Sequence, residues 1–242
     1  MKKLIIANWK MKLGLNESLA LAKKINTKLK TDKNNVVICP DYLSLVPIAN
    51  ILKKSKIVLG AQDSSLADSG SYTGEVSPLN LKSIGVKYVI LGHSERREHL
   101  HENSAIINDK IKAALKNKLI PVLCVGEKLI EREAGEAKSV IIDQLRRALN
   151  RIDVKNNNIV IAYEPVWAIG KGQAINPVEA EEMHQFIKSQ VSKILKKAVL
   201  VIYGGSVDSK NILSFMSQKN IDGFLVGGAS LKSDEFIKIC LQ

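Results

Sequence analysis

The sequence predicts an α/β fold on eight parallel strands, either a (β/α)8 barrel or a doubly wound sheet. Three observations carry this. Eight short apolar, β-branched runs recur along the chain. Each is apolar throughout instead of alternating, as strands read when both faces are buried in a parallel sheet. Helical patterns lie between them to the end, with no linker, low-complexity stretch or break in composition. A length of 242 residues suits a single α/β barrel of about 250. The expected organisation is therefore one domain, residues 1–242.

The first run is Leu4–Ala7. Its apolar stretch is far shorter than a signal-peptide core of roughly 7–15 residues, so it reads as a strand. Asn16–Leu29 then sets Leu19, Ala22, Ile25 and Leu29 on one helical face. Val36–Cys39 and Ile57–Leu59 are the second and third strands. The connection after them, Gly60–Ser77, is long and polar for a βα unit. The fourth strand, Tyr88–Leu91, runs into His93, where HSERRE reads as a helix start. Ala105–Leu115 is a helix with Ile107, Ile111 and Ala114 in its stripe. Ile120–Val125 is a strand, Glu133–Leu149 a helix and Ile159–Ala162 the sixth strand. In the helix Asn176–Leu195, Asn176 caps, Pro177 suits the first position and Glu179 can close a capping box. Val199–Ile202 and Phe224–Val226 complete the eight. The phosphate fingerprint G-x-G-x-x-G is absent after the first strand, which counts against a dinucleotide-binding sheet.

Net charge is +12 and the pI about 9.5. Lysines scatter as pairs such as Lys23–Lys24, Lys53–Lys54 and Lys196–Lys197, and aromatics are only 5%. No strand interleaves basic and aromatic residues. The pattern reads as a solvated basic surface and not a nucleic-acid interface, with mild attraction of anionic substrates as its consequence. No apolar run reaches about 18 residues, so no membrane span is expected. Cys39, Cys124 and Cys240 are odd in number and far apart, which makes disulfides or a metal cluster unexpected and a reducing cytosol the default. Cys124 reads as a small core residue before a nucleophile.

Polar and glycine residues fall just after the strands: Asn8–Lys10, His93–Glu95, Glu127, Glu164, Gly204–Ser206 and Gly227–Gly228. In a barrel these share one face, where barrel enzymes keep their active sites. In IVIAYEPVWAIGKG an apolar strand ends on Glu164 and a loop follows at once, the layout of a positioned base with its own lid. The bland reading of Glu164 is a carboxylate that caps the barrel rim or pairs with a lysine. His93 at a helix start feels the positive end of the dipole, which disfavours its cation and leaves a neutral imidazole to donate to a carbonyl oxygen. Lys10 beside Asn8 can hold an anion and stabilise negative charge developing on oxygen. Tyr203–Val207 (YGGSV) and Val226–Ser230 (VGGAS) follow strands seven and eight, where phosphate-binding barrels present bare backbone amides.

Six motifs together resemble the triosephosphate isomerase family over essentially the whole chain: NWKM at Asn8–Met11, YTGEVS at Tyr72–Ser77, GHSERR at Gly92–Arg97, CVGE at Cys124–Glu127, YEPVWAIG at Tyr163–Gly170, and YGGSV followed by DGFLVGGASL at Asp222–Leu231. The resemblance implies a TIM barrel with an outer ring of helices that interconverts dihydroxyacetone phosphate and D-glyceraldehyde 3-phosphate. By resemblance Glu164 is the base, His93 the neutral electrophile, Lys10 the cation near the substrate oxygens, Asn8 a polar contact, and Glu95 the acid that organises Lys10. Gly170, Ser206, Gly227 and Gly228 match the backbone phosphate grip, and Pro165 to about Ala174 the lid. Within Gly60–Ser77, Thr73 matches the tip of a loop that props a partner's active site, with Tyr72 and Gly74 beside it. A cytoplasmic homodimer is implied, acting on a small triose phosphate without metal or organic cofactor, nucleic acid or membrane. Lys171 and Gln173 in the lid, Lys12, Asp208 and Asp63 depart from the family's commonest pattern. Another phosphate-binding barrel enzyme, or a protein that binds through its basic surface, are the alternatives.

Overall fold

Eight parallel strands close on themselves in chain order in the computed structural model, which describes residues 2–30, 33–154, 158–169 and 174–242. The strands are β1 (Leu4–Asn8), β2 (Asn35–Cys39), β3 (Val58–Ala61), β4 (Tyr88–Leu91), β5 (Ile120–Val125), β6 (Val160–Tyr163), β7 (Leu200–Tyr203) and β8 (Gly223–Val226). The helices are α1 (Leu15–Lys28), α2 (Tyr42–Leu52), α3 (Pro78–Ser83), α4 (Ser94–His99), α5 (Ser104–Lys116), α6 (Leu129–Glu133), α7 (Ala137–Ala148), α8 (Pro177–Leu195), α9 (Ile212–Met216) and α10 (Ser233–Cys240). Leu4 pairs with Asn35 on one side and Gly223 on the other, so β1 joins β2 and β8 and the sheet has no edge. That closure decides for the barrel over the doubly wound sheet.

Alternate strand residues serve two cores. Leu4, Ile6, Val37, Ile90, Val122, Val160, Ile202 and Leu225 fill the barrel interior with the smaller Cys39, Cys124 and Ala162. Ile5, Ile38, Val89, Leu123, Ile161, Val201 and Phe224 point outward and meet the helix stripes, among them Ile25 of α1, Ile111 of α5 and Ile187 of α8. Both faces are dry, which is why the runs read as uninterrupted apolar sequence.

The expected elements form, with three corrections. The helix expected over Glu133–Leu149 forms only as α7, Ala137–Ala148; Glu133 instead ends the separate α6, and Gly135 between them takes a φ of +74° that no helical residue can take. Asn176 Oδ1 does cap α8, accepting from the Val178 amide at 2.9 Å, but Glu179 closes no capping box; its carboxylate pairs with Arg132 of α6 instead. The third, sixth and seventh strands are Val58–Ala61, Val160–Tyr163 and Leu200–Tyr203, each starting one residue later than expected. Ile57 and Ile159 are apolar because they are buried beneath the helices in the turns that enter β3 and β6. Burial, and not ladder pairing, is what their hydrophobicity reports. No helix of the described residues is long and apolar enough to cross a membrane.

The long connection Gly60–Ser77 is tied at its base and exposed at its tip. The Ser65 amide donates to Val76 O at 2.8 Å and Ser77 Oγ donates to Asp68 O at 2.6 Å. Residues 69–75, which include Tyr72, Thr73 and Gly74, all lie in solvent.

Candidate active site at the barrel mouth

The carboxyl ends of the strands bring the rim residues around one cavity of about 230 Å³. Asn8, Lys10, His93, Glu164, Ile169, Gly204–Val207, Gly227 and Gly228 line it. Gly170 and residues 171–173 of the segment expected to act as a lid lie outside the described residues. A larger cavity of about 660 Å³ opens at the opposite end of the barrel, with a mostly apolar lining and no comparable meeting of carboxylate, imidazole and ammonium.

Lys10 leaves β1 in a left-handed conformation, φ +52°, which costs a residue with a Cβ roughly 1–2 kcal/mol. Two contacts hold it there. Asn8 Oδ1 accepts from the Lys10 amide at 3.1 Å, and Gln62 Nε2 donates to Lys10 O at 2.9 Å and to Cys39 O at 3.0 Å. The ammonium, thus aimed, donates to Glu95 Oε1 at 2.6 Å. Burial alone would raise the Glu95 carboxyl, but the Lys10 hydrogen bond and charge outweigh it and hold Glu95 below the usual carboxylate range.

His93 caps α4. Its Nδ1 accepts from the Glu95 amide at 3.2 Å, so in this arrangement the ring hydrogen sits on Nε2. Nε2 lies 3.2 Å from Glu164 Oε1. Glu164 is 2% exposed, and its other oxygen accepts from the Ser94 amide at 3.1 Å. Oε1 makes no well-aligned hydrogen bond among the described residues, so one carboxylate oxygen is anchored while the other faces the His93 nitrogen at 3.2 Å. That is the condition a proton acceptor needs.

Space for Glu164 is made by glycine. A Cβ at Gly204 would meet Glu164 Cγ at 2.8 Å, and one at Gly126 would strike the Glu164 carbonyl oxygen at 1.7 Å. Gly227 and Gly228 differ: a Cβ at Gly228 would meet nothing within 4 Å, and one at Gly227 only Lys10 Cε at 3.7 Å. Packing does not demand glycine there. What it leaves is bare backbone beside the cavity, at the start of the short 3-10 turn Gly228–Leu231. Ser206 lines the same wall, and its carbonyl oxygen accepts from Asn211 Nδ2 at 3.3 Å.

Glu127 is fully buried and holds the start of the loop that follows Glu164. It accepts from Trp167 Nε1 at 3.0 Å and Tyr163 Oη at 3.2 Å, and pairs with Arg132 at 3.4 Å. The Arg132 guanidinium also stacks over the Trp167 ring, 4.8 Å from its centroid. Cys124 is buried, and its thiol is pushed well up by burial and by the neighbouring Glu164 charge. It is inert core, as the sequence suggested.

Sequence reasoning missed three supports. The Ser94 amide has no side-chain signature. Arg97 ties β4 to β5 by donating to Gly92 O at 2.7 Å and Cys124 O at 3.0 Å. Asp63 and Glu102 share Lys110 and Arg96, with Lys110 at 2.7 Å from Asp63 and Arg96 at 2.9 Å. Burial still pushes the Asp63 carboxyl up to about 6 despite both cations, while Lys110 and Arg96 overcome burial at Glu102 and hold it low. Asp63's place in an apparently polar loop hid its partners, which come from elements about 30–50 residues away.

The sequence profile of the triosephosphate isomerase family matches residues 3–242. Among curated relatives, the triosephosphate isomerase of Dehalococcoides mccartyi strain CBDB1 is 45% identical over 248 residues, spanning 100% of this chain and 97% of its own. That of Herpetosiphon aurantiacus is 44% identical over 243 residues, covering 98% and 97%. That of Leptospira interrogans is 43% identical over 250 residues, covering 99% and 100%.

Proposed function

The chain belongs to the triosephosphate isomerase family, and on that premise we propose how its barrel mouth interconverts dihydroxyacetone phosphate and D-glyceraldehyde 3-phosphate. Glu164 Oε1 takes a proton from the carbon next to the carbonyl. His93 Nε2–H donates to the carbonyl oxygen and Lys10 faces the charge that develops there, so an enediol(ate) forms without a bare oxyanion. Glu164 then returns its proton to the neighbouring carbon while the imidazole moves a proton between the oxygens. Carbonyl and hydroxyl exchange places within one molecule, so the electron balance needs no outside acceptor. Asn8 contacts the substrate oxygens and Glu95 orients Lys10. The phosphate sits against Ser206, Gly227 and Gly228, with Gly170 of the lid closing over it.

The observation that carries this reading is the arrangement at Glu164: one oxygen anchored on the Ser94 amide, the other free of any well-aligned hydrogen bond among the described residues and beside the His93 Nε2–H at 3.2 Å. The test is a coupled isomerisation assay of wild type beside Glu164→Gln. Turnover is expected to fall by roughly 10²–10⁴-fold with KM within a few-fold, the contribution of a general base. Near-wild-type turnover would refute the assignment.

The family's glycolytic role supports a cytoplasmic location. Dimerisation is supported by the exposed tip at residues 69–75, with Tyr72, Thr73 and Gly74, and by apolar side chains standing in solvent on the β1–β3 side of the mouth: Met11 is 94% exposed and Leu43 83%. In this reading two copies cover those residues and each lends its loop to the other's mouth.

A further inference from the structure

The excess of positive over negative charge gathers at one end of the barrel, the floor, where the chain enters each strand, although most of the 36 lysines and arginines lie elsewhere and are offset there by carboxylates. Among the described residues, the segments leading into the eight strands carry twelve lysines and Arg151 against only Asp153 and Asp222. Thirteen cations less two carboxylates leave +11 of the chain's total of +12. Every one of the eight segments contributes at least one cation, eleven of the thirteen are exposed, and Asp222 is engaged by Lys188 at 2.8 Å. Lysines in last helical turns, such as Lys28 and Lys116, complement helix dipoles and are not in this count.

Backbone geometry points the same way. Three of the five residues with a Cβ held at positive φ are floor cations: Lys118 at 57°, Arg151 at 55° and Lys196 at 52°. Glycine or asparagine is the usual choice at such helix ends. Here strain is tolerated at positions that add charge.

We propose that the barrel floor is a docking surface for a membrane of anionic lipid. Cations on the eight entry segments surround one end of the closed barrel, so a broad array of phosphates can meet many of them together, whereas a nucleic-acid duplex meets a stripe of them. The floor segments hold no Phe, Trp or Tyr on which bases could stack. Lysine, a point charge on a flexible stem, outnumbers arginine twelve to one, as suits unspecific attraction to headgroups over bidentate recognition. Strands of four to six residues set the floor roughly 13–20 Å from the mouth, so docking leaves the mouth open to solvent.

The test is co-sedimentation with vesicles of phosphatidylcholine alone or with about 30% phosphatidylglycerol. Two charge-matched variants are compared: Lys54→Glu, Lys118→Glu, Lys219→Glu on the floor, and Lys23→Glu, Lys112→Glu, Lys138→Glu on the outer helix faces. Wild type is expected to sediment with the anionic vesicles only, and to be released as added salt shortens the screening length to a few ångströms. The floor variant should lose at least about tenfold in partitioning and the outer variant no more than about twofold. Circular dichroism melts and isomerase activity check that both fold, and Lys→Gln at the same positions repeats the comparison if the glutamates do not. No sedimentation of wild type, equal loss in both variants, or tighter binding to a duplex oligonucleotide that strips the protein from vesicles would each overturn the proposal.

Discussion

A carboxylate, an imidazole and an ammonium at the rim are ordinary side chains; their neighbours give them distinct roles. Glu164 has one oxygen on an amide and one facing the His93 ring, His93 has its Nδ1 occupied by the Glu95 amide, and Lys10 is aimed by a left-handed backbone. His184, which the mouth does not use, illustrates environment at its strongest. It is fully buried, its Nδ1 lies 2.6 Å from Ala180 O, and the Tyr163 ring meets it edge-on at 5.7 Å. Burial lowers its pKa to about 4, against roughly 6.5 when unfolded. Between those values the unfolded chain binds a proton that the folded chain does not, so stability falls as pH drops from 6.5 towards 4. The loss is on the order of 3 kcal/mol. Urea unfolding at pH 7 and pH 4.5 should show a smaller acid loss in His184→Gln than in wild type; equal losses would exclude His184 as the source.

Elements end where local chemistry says they must, and the sequence reveals this unevenly. Asn176 before Pro177 marks the start of α8, and the structure begins it there. Replacing the cap by Asn176→Ala should cost about 1 kcal/mol by urea unfolding, and an unchanged midpoint would mean another group satisfies the Val178 amide. Gly135, by a φ that only the folded chain exhibits, keeps the helix expected over Glu133–Leu149 from starting before Ala137; glycine occurs inside helical patterns often enough that its presence did not decide the matter. Glu179 had the spacing of a capping box, yet an arginine from another element offered a charged partner and took it.

For the molecule as a whole, closure of the sheet sorts charge by end. The excess cations were expected to draw anionic substrates. They lie instead roughly 13–20 Å from the mouth, beyond a screening length of about 8 Å. Reversing Lys54, Lys118 and Lys219 to glutamate should therefore leave kcat/KM within about twofold at physiological salt; a drop of tenfold would restore the steering role. The exposed tip at 69–75 belongs to this scale too. Deleting Ser71–Gly74 is expected to yield a monomer of low activity by light scattering and assay, and an intact dimer would show that the tip is not the contact that holds it.

Much of this protein was legible in one dimension. Strand positions, the alternation of elements and the polar residues that end each strand follow from period, burial and turn chemistry, which act within a few residues. Tertiary structure alone decided what those residues meet. It chose a barrel over an open sheet by pairing Leu4 with both Asn35 and Gly223, it gave Glu164 its clearance through Gly126 and Gly204, and it paired Asp63 with Lys110 across 47 residues of chain. It also turned a scatter of lysines into one charged end. Each of these depends on distances between residues far apart in sequence, and hydrophobic periodicity carries no information about those.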